Sequence, residues 1–241
     1  MKPCLTCKNK PIRNKIYKAH LEAFAEKNLP KDNKCFFNKN TSKIELSNLT
    51  PNKTIFYFAT NKRDFTKSIK PQIEAYDNLK NSGVVRINKD GEAIAHLKCP
   101  QLYVNTNGNV YSRHIHFLYW NDEKKMWDKN LYTQQILCSV DEEFVKINMK
   151  KAIIIDARSN DYYLKSHVKG SINLPYNKRW TEESVKGEFK KGIKNYDGNK
   201  LVPIIIYCAK GCSLSEKLYE KLNKLGFYNT MHADGNLLSL S

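Results

Sequence analysis

The pattern of apolar and polar positions changes twice along this chain of 241 residues. Residues 44–145 contain short runs with the alternation of β-strands, separated by turn sequences rich in Gly and Asn. The runs are Thr54–Ala59, Gly83–Ile87, Ala93–Leu97 and His114–Trp120, with turns at Lys89–Gly91 and Asn105–Gly108. Strands at this spacing predict an antiparallel β-sandwich.

From residue 146 onward, apolar strands alternate with helices, which is typical of a parallel sheet. Ala152–Ile155 and Pro203–Tyr207 are continuous apolar runs, as expected of strands that are buried on both faces. A loop from Cys208 to Ser213 follows the second run. It leads into a helix whose leucines share one face and which ends at Gly226; these leucines are Leu214, Leu218, Leu222 and Leu225.

The sequence therefore predicts a two-domain α+β protein with an additional basic segment. Residues 1–43 form the basic N-terminal segment, with one helix around Ile16–Glu26. Residues 44–145 form the antiparallel sandwich, and residues 146–241 form an α/β domain with a parallel sheet.

The formal charge of +17 comes from both ends of the chain, because residues 44–145 are nearly neutral. A basic protein attracts polyanions weakly, but no nucleic-acid-binding motif accompanies the charge, so we expect no specific nucleic-acid partner. No apolar run approaches the roughly 20 residues of a membrane span. The start of the chain also lacks the apolar segment of a signal peptide. We therefore expect a soluble cytoplasmic protein without a membrane partner.

Seven cysteines are scattered along the chain, and in a reducing compartment they are expected to be free, metal-binding or catalytic. Cys4 and Cys7 form a CxxC half-site for structural zinc, with His20 and Cys35 as completing ligands. The alternative for this pair is a surface thiol pair or a redox motif.

Cys208 lies between a predicted strand and a predicted helix, where backbone N–H groups and the positive helix end bind anions. A cysteine in this position is expected to have a lowered pKa and to act as a nucleophile. The alternative is a buried core cysteine. Lys210 adds positive charge and Ser213 is at the N-cap position. The predicted anion-binding residues are Ala209, Lys210, Gly211, Cys212 and Ser213.

Two stretches of residues 148–236 together resemble the rhodanese family: Ile155-Asp-Ala-Arg158 continuing to Pro175, and Ile206-Tyr-Cys208 with Gly211. The resemblance implies a persulfide on Cys208, an anion site made by the loop amides, and no required cofactor. It places Asp156, Arg158 and His167 at architectural positions.

Three loop residues depart from related patterns. Leu214 stands where phosphatase relatives have an arginine, so phosphate ester hydrolysis is not expected. Ala209 stands where thiosulfate-type loops often have an arginine, which leaves the sulfur donor open. Cys212 either resolves a persulfide on Cys208 into a disulfide or forms a redox couple with Cys208, or its side chain turns away.

His114 and His116 project from the same face of a predicted strand, so both imidazoles can bind one metal, or they form a satisfied histidine pair. A phenolate from Tyr103 would favour Fe(III). Gly83–Gly91, Cys99–Tyr103 and His114–Phe117 together resemble the intradiol ring-cleavage dioxygenases.

The dioxygenase resemblance implies a non-haem Fe(III) held by two tyrosines and two histidines. It transfers Tyr103, His114 and His116 as ligands, with Tyr76 and Tyr57 as candidates for the second tyrosine. Tyr111 stands where that family has its substrate-activating arginine, although Arg113 is close by.

Taken together, these features predict a sulfurtransferase that moves sulfur from a small donor anion to a thiol or similar acceptor. The alternatives are a thiol–disulfide redox protein using Cys208 and Cys212, a non-haem iron dioxygenase-like protein, and a non-catalytic binding protein with relic sites. The pairing of these domains with a Lys/Asn-rich composition suggests a large DNA virus, which would place the protein in the virion or the host cytoplasm.

Overall fold

The computed structural model describes residues 10–11, 42–61, 69–128, 130–209, 211–233 and 237. The chain divides into two compact units, residues 1–136 and residues 137–241. The predicted helix at Ile16–Glu26 and the predicted zinc ligands Cys4, Cys7, His20 and Cys35 lie outside the described residues.

The first unit is built mainly of antiparallel strands. They are β1 (Lys10–Pro11), β2 (Ser42–Leu46), β3 (Thr54–Phe58), β4 (Lys70–Pro71), β5 (Ser82–Arg86), β6 (Ala93–Leu97), β7 (Tyr103–Val104), β8 (Val110–Tyr111), β9 (His114–Asn121), β10 (Met126–Trp127) and β11 (Asn130–Gln135). A short helix α1 (Gln72–Tyr76) continues into a 3₁₀ turn at Asp77–Leu79. The four strands expected from the sequence are present, with ends shifted by no more than one residue.

The described residues of this unit contain three sheets. The largest has the order β1-β11-β9-β3-β5, with β10 paired to β9, and the smaller ones are β2-β6 and β4-β7-β8. Alternation along β3 sends Phe56 and Phe58 into one apolar cluster and Ile55 and Tyr57 into another. The large sheet therefore has an apolar layer on each face. The dioxygenase-type sandwich itself stays a prediction.

The turn before β6 requires a glycine. Gly91 has φ +77°, and a Cβ atom there would lie 2.7 Å from the carbonyl oxygen of Leu49. The side chain of Asn88 closes the turn by accepting hydrogen bonds from the amides of Asp90 and Glu92. The predicted turn at Lys89–Gly91 is thus confirmed.

The second unit alternates strands and helices. The strands are β12 (Ser139–Val140), β13 (Ile153–Asp156), β14 (Ile172–Asn173), β15 (Ile204–Tyr207) and β16 (Thr230–Ala233); the helices are α2 (Glu142–Asn148), α3 (Asn160–Lys165), α4 (Glu182–Gly192) and α5 (Leu214–Lys224). The sheet order is β12-β16-β15-β13-β14, and every pairing is parallel. This confirms the predicted parallel sheet. The unit begins before residue 146, because β12 pairs with β16.

Helix α5 packs against this sheet through its predicted apolar face. Leu218 and Leu222 are fully buried, while Leu214 and Leu225 are partly buried against the same cluster. The helix ends at Gly226, which has φ +93° and donates to the carbonyl oxygen of Asn223. Strand β15 and helix α5 therefore fix both ends of the Cys208 loop.

The described cysteines include both free thiols and disulfide-bonded residues. Cys208 and Cys212 are free, whereas Cys99 and Cys138 are disulfide-bonded. The expectation that the scattered cysteines are free or bind metal is therefore wrong for Cys99 and Cys138, because disulfides join cysteines whose spacing along the chain carries no sign of the pairing. Among the described residues, no helix is both long enough and apolar enough to cross a bilayer.

Candidate functional site

Cys208 directly follows β15, which lies inside the parallel sheet between β13 and β16. Functional side chains of open parallel sheets gather at this carboxyl end of the strands. The residue is 8% exposed and belongs to the apolar cluster under α5. The sulfur thus lies at the edge of the core, below the loop that joins β15 to α5.

The atoms around the Cys208 sulfur differ from the predicted ring of amides. The thiol faces the carbonyl oxygens of Cys212 at 2.9 Å and Ala209 at 3.5 Å, and the hydroxyl of Ser215 at 3.2 Å. The amide of Cys212 donates to the Ala209 carbonyl at 3.0 Å, closing a turn with Gly211 at φ +76°. The prediction that the loop amide at Cys212 points to the sulfur is therefore wrong. Lys210 lies outside the described residues.

The pKa of Cys208 is raised rather than lowered. Burial is the largest cause; hydrogen bonds from the hydroxyl and amide of Ser215 act in the opposite direction, and the side chain of Cys212 raises the pKa further. The predicted stabilised thiolate is thus wrong for this resting arrangement, because burial disfavours negative charge on the sulfur. Ser213 occupies the N-cap position of α5 as predicted, but its side chain makes no capping hydrogen bond.

Two residues that sequence reasoning missed complete the surroundings of Cys208. The Ser215 hydroxyl lies 3.2 Å from the Cys208 sulfur and 3.3 Å from Nδ1 of His232. Ser215 is 1% exposed and His232 is 7% exposed. No sequence signal singles out His232, because its place beside Cys208 depends on the pairing of β15 with β16.

The Asp156–Arg158 motif forms a buried structural unit next to Cys208. The Arg158 guanidinium donates to the Asp156 carboxylate at 2.6 Å and to the carbonyl oxygen of Ser166 at 2.6 Å. His167 stacks on Tyr163 at a centroid distance of 4.0 Å. These contacts tie β13 to the segment that follows α3, in keeping with an architectural role.

Residues 141–238 match the family model of the rhodanese-like domain. This match covers the strand–loop–helix unit around Cys208. The second unit contains a rhodanese-like domain. The domain's sheet is the parallel one described above, and Cys208 ends its central strand.

Other proteins are similar to part of this chain. A protein of Buchnera aphidicola subsp. Schizaphis graminum (strain Sg), named "Uncharacterized protein", is 32% identical over 78 residues, which are 32% of this chain. The chain spans about half the length of this curated relative, since the match covers 47% of it.

The chain is also similar to solved structures, at lower sequence identities. The BH2092 protein from Bacillus halodurans is 23% identical, with 43% of this chain and 70% of that chain covered and a TM-score of 0.35. A single-domain sulfurtransferase from Saccharomyces cerevisiae is 20% identical, with 42% and 85% covered and a TM-score of 0.34.

Outside the rhodanese-like domain, the first unit brings four ring side chains together. The Nε2 atom of His114 lies 3.1 Å from Nε2 of His116, 3.3 Å from the hydroxyl of Tyr103 and 3.4 Å from the hydroxyl of Tyr76. All four residues are buried. Strand β9 supplies both histidines, β7 supplies Tyr103, and α1 supplies Tyr76.

The hydrogen bonds behind the histidines orient them toward this centre. Nδ1 of His114 lies 2.6 Å from the carbonyl oxygen of Ser112, and because a carbonyl only accepts, that nitrogen carries the proton. When the ring is neutral, the lone pair of Nε2 therefore points at the cluster. Nδ1 of His116 pairs with the Thr133 hydroxyl at 2.7 Å. Such outer partners are typical of histidines that bind metals.

The cluster fits a small metal ion. The side chains of His116, Tyr103 and Tyr76 all lie within hydrogen-bonding distance of Nε2 of His114. One ring nitrogen with a single lone pair cannot accept hydrogen bonds from all three. Two ligand atoms bonded to one metal at distances of about 2.1 Å are themselves roughly 3 to 3.6 Å apart, depending on the bond angle. The separations from His114 Nε2 match that range. Among the described residues, no group of three or more His, Cys, Asp or Glu side chains is placed to hold a metal.

The remaining tyrosines have other partners. The Tyr57 hydroxyl accepts from the amide of His96 at 3.1 Å, and its ring lies in the other apolar cluster. Tyr57 is therefore not the second tyrosine of this cluster, because alternation along β3 turns it to the opposite face. Tyr111 stacks on Tyr103 with ring centroids 5.1 Å apart.

Proposed function

We propose that this protein is a sulfurtransferase whose Cys208 forms a persulfide. The main support is the position of Cys208 at the end of the central strand of a rhodanese-like domain, beside a hydroxyl that contacts its sulfur. A small anionic donor such as thiosulfate fits the chemistry, with a thiol as the final acceptor.

The proposed transfer has two displacement steps. The Cys208 sulfur attacks the sulfane sulfur of thiosulfate, so that a new S–S bond forms and sulfite leaves with the electron pair of the old bond. The acceptor thiolate then attacks the outer sulfur, and Cys208 leaves as a thiolate that regains a proton. Because the pKa of resting Cys208 is raised, its proton must be removed before or during the first step.

Mass spectrometry of the intact protein tests this proposal. Incubation with thiosulfate should add the mass of one sulfur atom, and Cys208→Ser should abolish the gain. Cys212→Ser serves as the matched control and should keep it. An unchanged mass after thiosulfate, or a gain that persists in Cys208→Ser, would contradict a persulfide on Cys208.

A thiol–disulfide role is the second proposal, and it rests on the neighbouring thiols. Cys212 is free and half-buried, and its side chain forms a hydrogen bond that raises the pKa of Cys208. Oxidation by hydrogen peroxide would take two protons and two electrons from the thiols, join the sulfurs and reduce the peroxide to two water molecules. Loss of the mass of two hydrogens, absent from Cys212→Ser, supports this role; sulfenic acid without further mass loss contradicts it.

We further propose Fe(III) at the cluster of Tyr76, Tyr103, His114 and His116, as the dioxygenase resemblance implies. The two phenol oxygens and two imidazoles form a hard donor set for Fe(III). Bound iron would supply Lewis-acid chemistry at this centre. The chain's own contribution is orientation, through the contacts of His114 with Ser112 and of His116 with Thr133.

Titration with Fe(III) tests the proposed iron site. A visible tyrosinate-to-iron absorption band should appear, and Tyr103→Phe should weaken or shift it. Tyr57→Phe, which alters a tyrosine on the opposite face, should leave the band unchanged. Metal analysis that finds no iron after loading would rule the site out.

A further inference from the structure

Three polar side chains form a continuous line through the core of the rhodanese-like domain. The Cys208 sulfur, the Ser215 hydroxyl and Nδ1 of His232 are linked by contacts of 3.2 Å and 3.3 Å. All three residues are less than a tenth exposed. Buried polar side chains are normally hydrogen-bonded. Here Ser215 lies between the other two residues and contacts both of them.

We propose that Ser215 and His232 form a proton relay that activates Cys208 for the sulfur transfer proposed above. His232 acts through Ser215 and is therefore a positioning residue with a proton-accepting role. Ser215 touches the reacting sulfur itself. The inference deepens the proposed function and names a group that removes the thiol proton.

The relay conserves charge and protons. The S–H bond of Cys208 breaks as its proton passes to the Ser215 oxygen, and the Ser215 O–H bond breaks as its own proton passes to Nδ1 of His232. The products are a thiolate and an imidazolium, with no electron gained or lost. This direction requires neutral His232 with its proton on Nε2, leaving a lone pair on Nδ1.

Rotation about the Cβ–Sγ bond brings the thiol hydrogen to three neighbouring acceptors. Two are the carbonyl oxygens of Cys212 at 2.9 Å and Ala209 at 3.5 Å, and the third is the Ser215 hydroxyl at 3.2 Å. Donation to either carbonyl holds the proton on sulfur, because a carbonyl has none to pass on. Donation to Ser215 opens the path to His232. The raised pKa of the resting thiol makes such a proton acceptor necessary.

The register of the sheet sets the neighbours of His232. Its neighbours across the sheet are Ile206 on β15 and Ser139 on β12, neither of which is charged. The α5 residue that meets it is Ser215. The titratable group closest to the Cys208 end is Cys212, whose own ionisation opposes that of Cys208.

Alkylation of Cys208 by iodoacetamide in the full-length protein, followed over pH by peptide mass spectrometry, tests the relay. The informative variant is His232→Asn, because the amide oxygen of asparagine can replace Nδ1 as an acceptor but is not basic. In the wild type the rate should rise across the near-neutral pH range in which histidine side chains lose their proton. In His232→Asn the rate near neutral pH should fall about 100-fold, and the two profiles should converge at alkaline pH.

Two further variants complete the test. His167→Asn alters a histidine of the same unit whose Nδ1 bonds to the Tyr163 carbonyl instead, and it should keep the wild-type profile. Ser215→Ala removes the bridging hydroxyl and should cause the same fall in alkylation rate near neutral pH. This variant tests the relay if His232→Asn does not fold. Circular dichroism and thermal melting report the fold of each variant.

The outcomes separate the relay from the proposed function. A folded His232→Asn or Ser215→Ala with the wild-type pH profile would overturn the relay, and so would an equal loss at every pH. Alkylation needs no sulfur donor. If the variants shift the alkylation profile but thiosulfate forms no persulfide, the relay is supported and sulfur transfer is contradicted. If a persulfide forms and the profile is not shifted, sulfur transfer is supported and the relay is contradicted.

Discussion

At the scale of single residues, the buried thiol of Cys208 couples folding to pH. The thiol of an unfolded chain ionises at about 8.5, whereas burial raises the pKa of Cys208 in the folded protein. Between these two values the unfolded chain has lost a proton that the folded chain keeps. The stabilising contribution is therefore complete below the unfolded pKa and is lost as pH rises above it.

Urea unfolding at pH values from about 7 to 9.5 tests this coupling. The free energy of unfolding should decline over the upper part of that range in the wild type, and less steeply in Cys208→Ser. Tyr207 does not interfere, because burial raises its pKa to about 12, and ordinary tyrosines ionise only near 10. Identical slopes in the two proteins would mean that Cys208 titrates as an ordinary thiol.

The Asp156–Arg158 pair should be the most sensitive charged contact of the second unit. Its side chains are 0% and 7% exposed, and their closest atoms are 2.6 Å apart. Arg158→Ala leaves a buried carboxylate without this partner and should lower the free energy of unfolding by about 3 to 5 kcal/mol. Lys146→Ala, which breaks an exposed pair with Glu142, should cost less than about 0.5 kcal/mol. If both variants lose a similar free energy of unfolding, burial does not determine how much each ion pair contributes.

At the scale of elements, the two long helices of the second unit begin in different ways. The side chain of Thr181 caps α4 and forms a reciprocal pair with Ser184. Ser213 stands at the start of α5 without a capping bond. Thr181→Ala should therefore lower the free energy of unfolding by about 1 kcal/mol and Ser213→Ala by a few tenths. Denaturation curves that reverse this order would show that Ser213 caps α5 in solution.

Local patterns predicted the elements well and their mutual contacts poorly. Strand β15 and helix α5 follow from a continuous apolar run and from leucines at helical spacing, both of which are properties of neighbouring residues. The partnership of Ser215 with His232 depends on β16 lying next to β15, and residues 17 positions apart carry no sign of it. The direction of the Cys212 carbonyl depends on the geometry of the turn. The spacing of residues in the sequence therefore could not show whether amides or carbonyls of the loop face the Cys208 sulfur.

The same limit applies to the tyrosine and histidine cluster. Alternation along one strand predicted that His114 and His116 share a face. Tyr76 lies on a short helix that no periodic pattern in the sequence predicted. Alternation along β3 does account for the position of Tyr57, since Tyr57 and Phe58 must face opposite sides of the sheet. A strand's faces are therefore predictable, whereas the segments that cover them are not.

At the scale of the whole molecule, each unit has apolar clusters of its own. The cluster that contains Cys208 draws its residues from Leu137 onward, while the two clusters of the first unit draw theirs from residues 44–136. A unit that buries its own apolar residues meets the main requirement for folding alone. The boundary then matters, because β12 begins at Ser139 and the change in sequence pattern comes near residue 146.

A fragment of residues 137–241 should therefore fold cooperatively under reducing conditions, whereas a fragment of residues 146–241 should be less stable. The shorter fragment lacks β12 and the first half of α2, so the backbone of β16 is left as an unpaired edge beside His232. Urea unfolding followed by circular dichroism should give a lower midpoint for the shorter fragment, and its Cys208 should alkylate faster as the edge opens. If both fragments unfold at the same midpoint, β12 contributes nothing to the sheet, and the unit effectively begins where the sequence pattern changes.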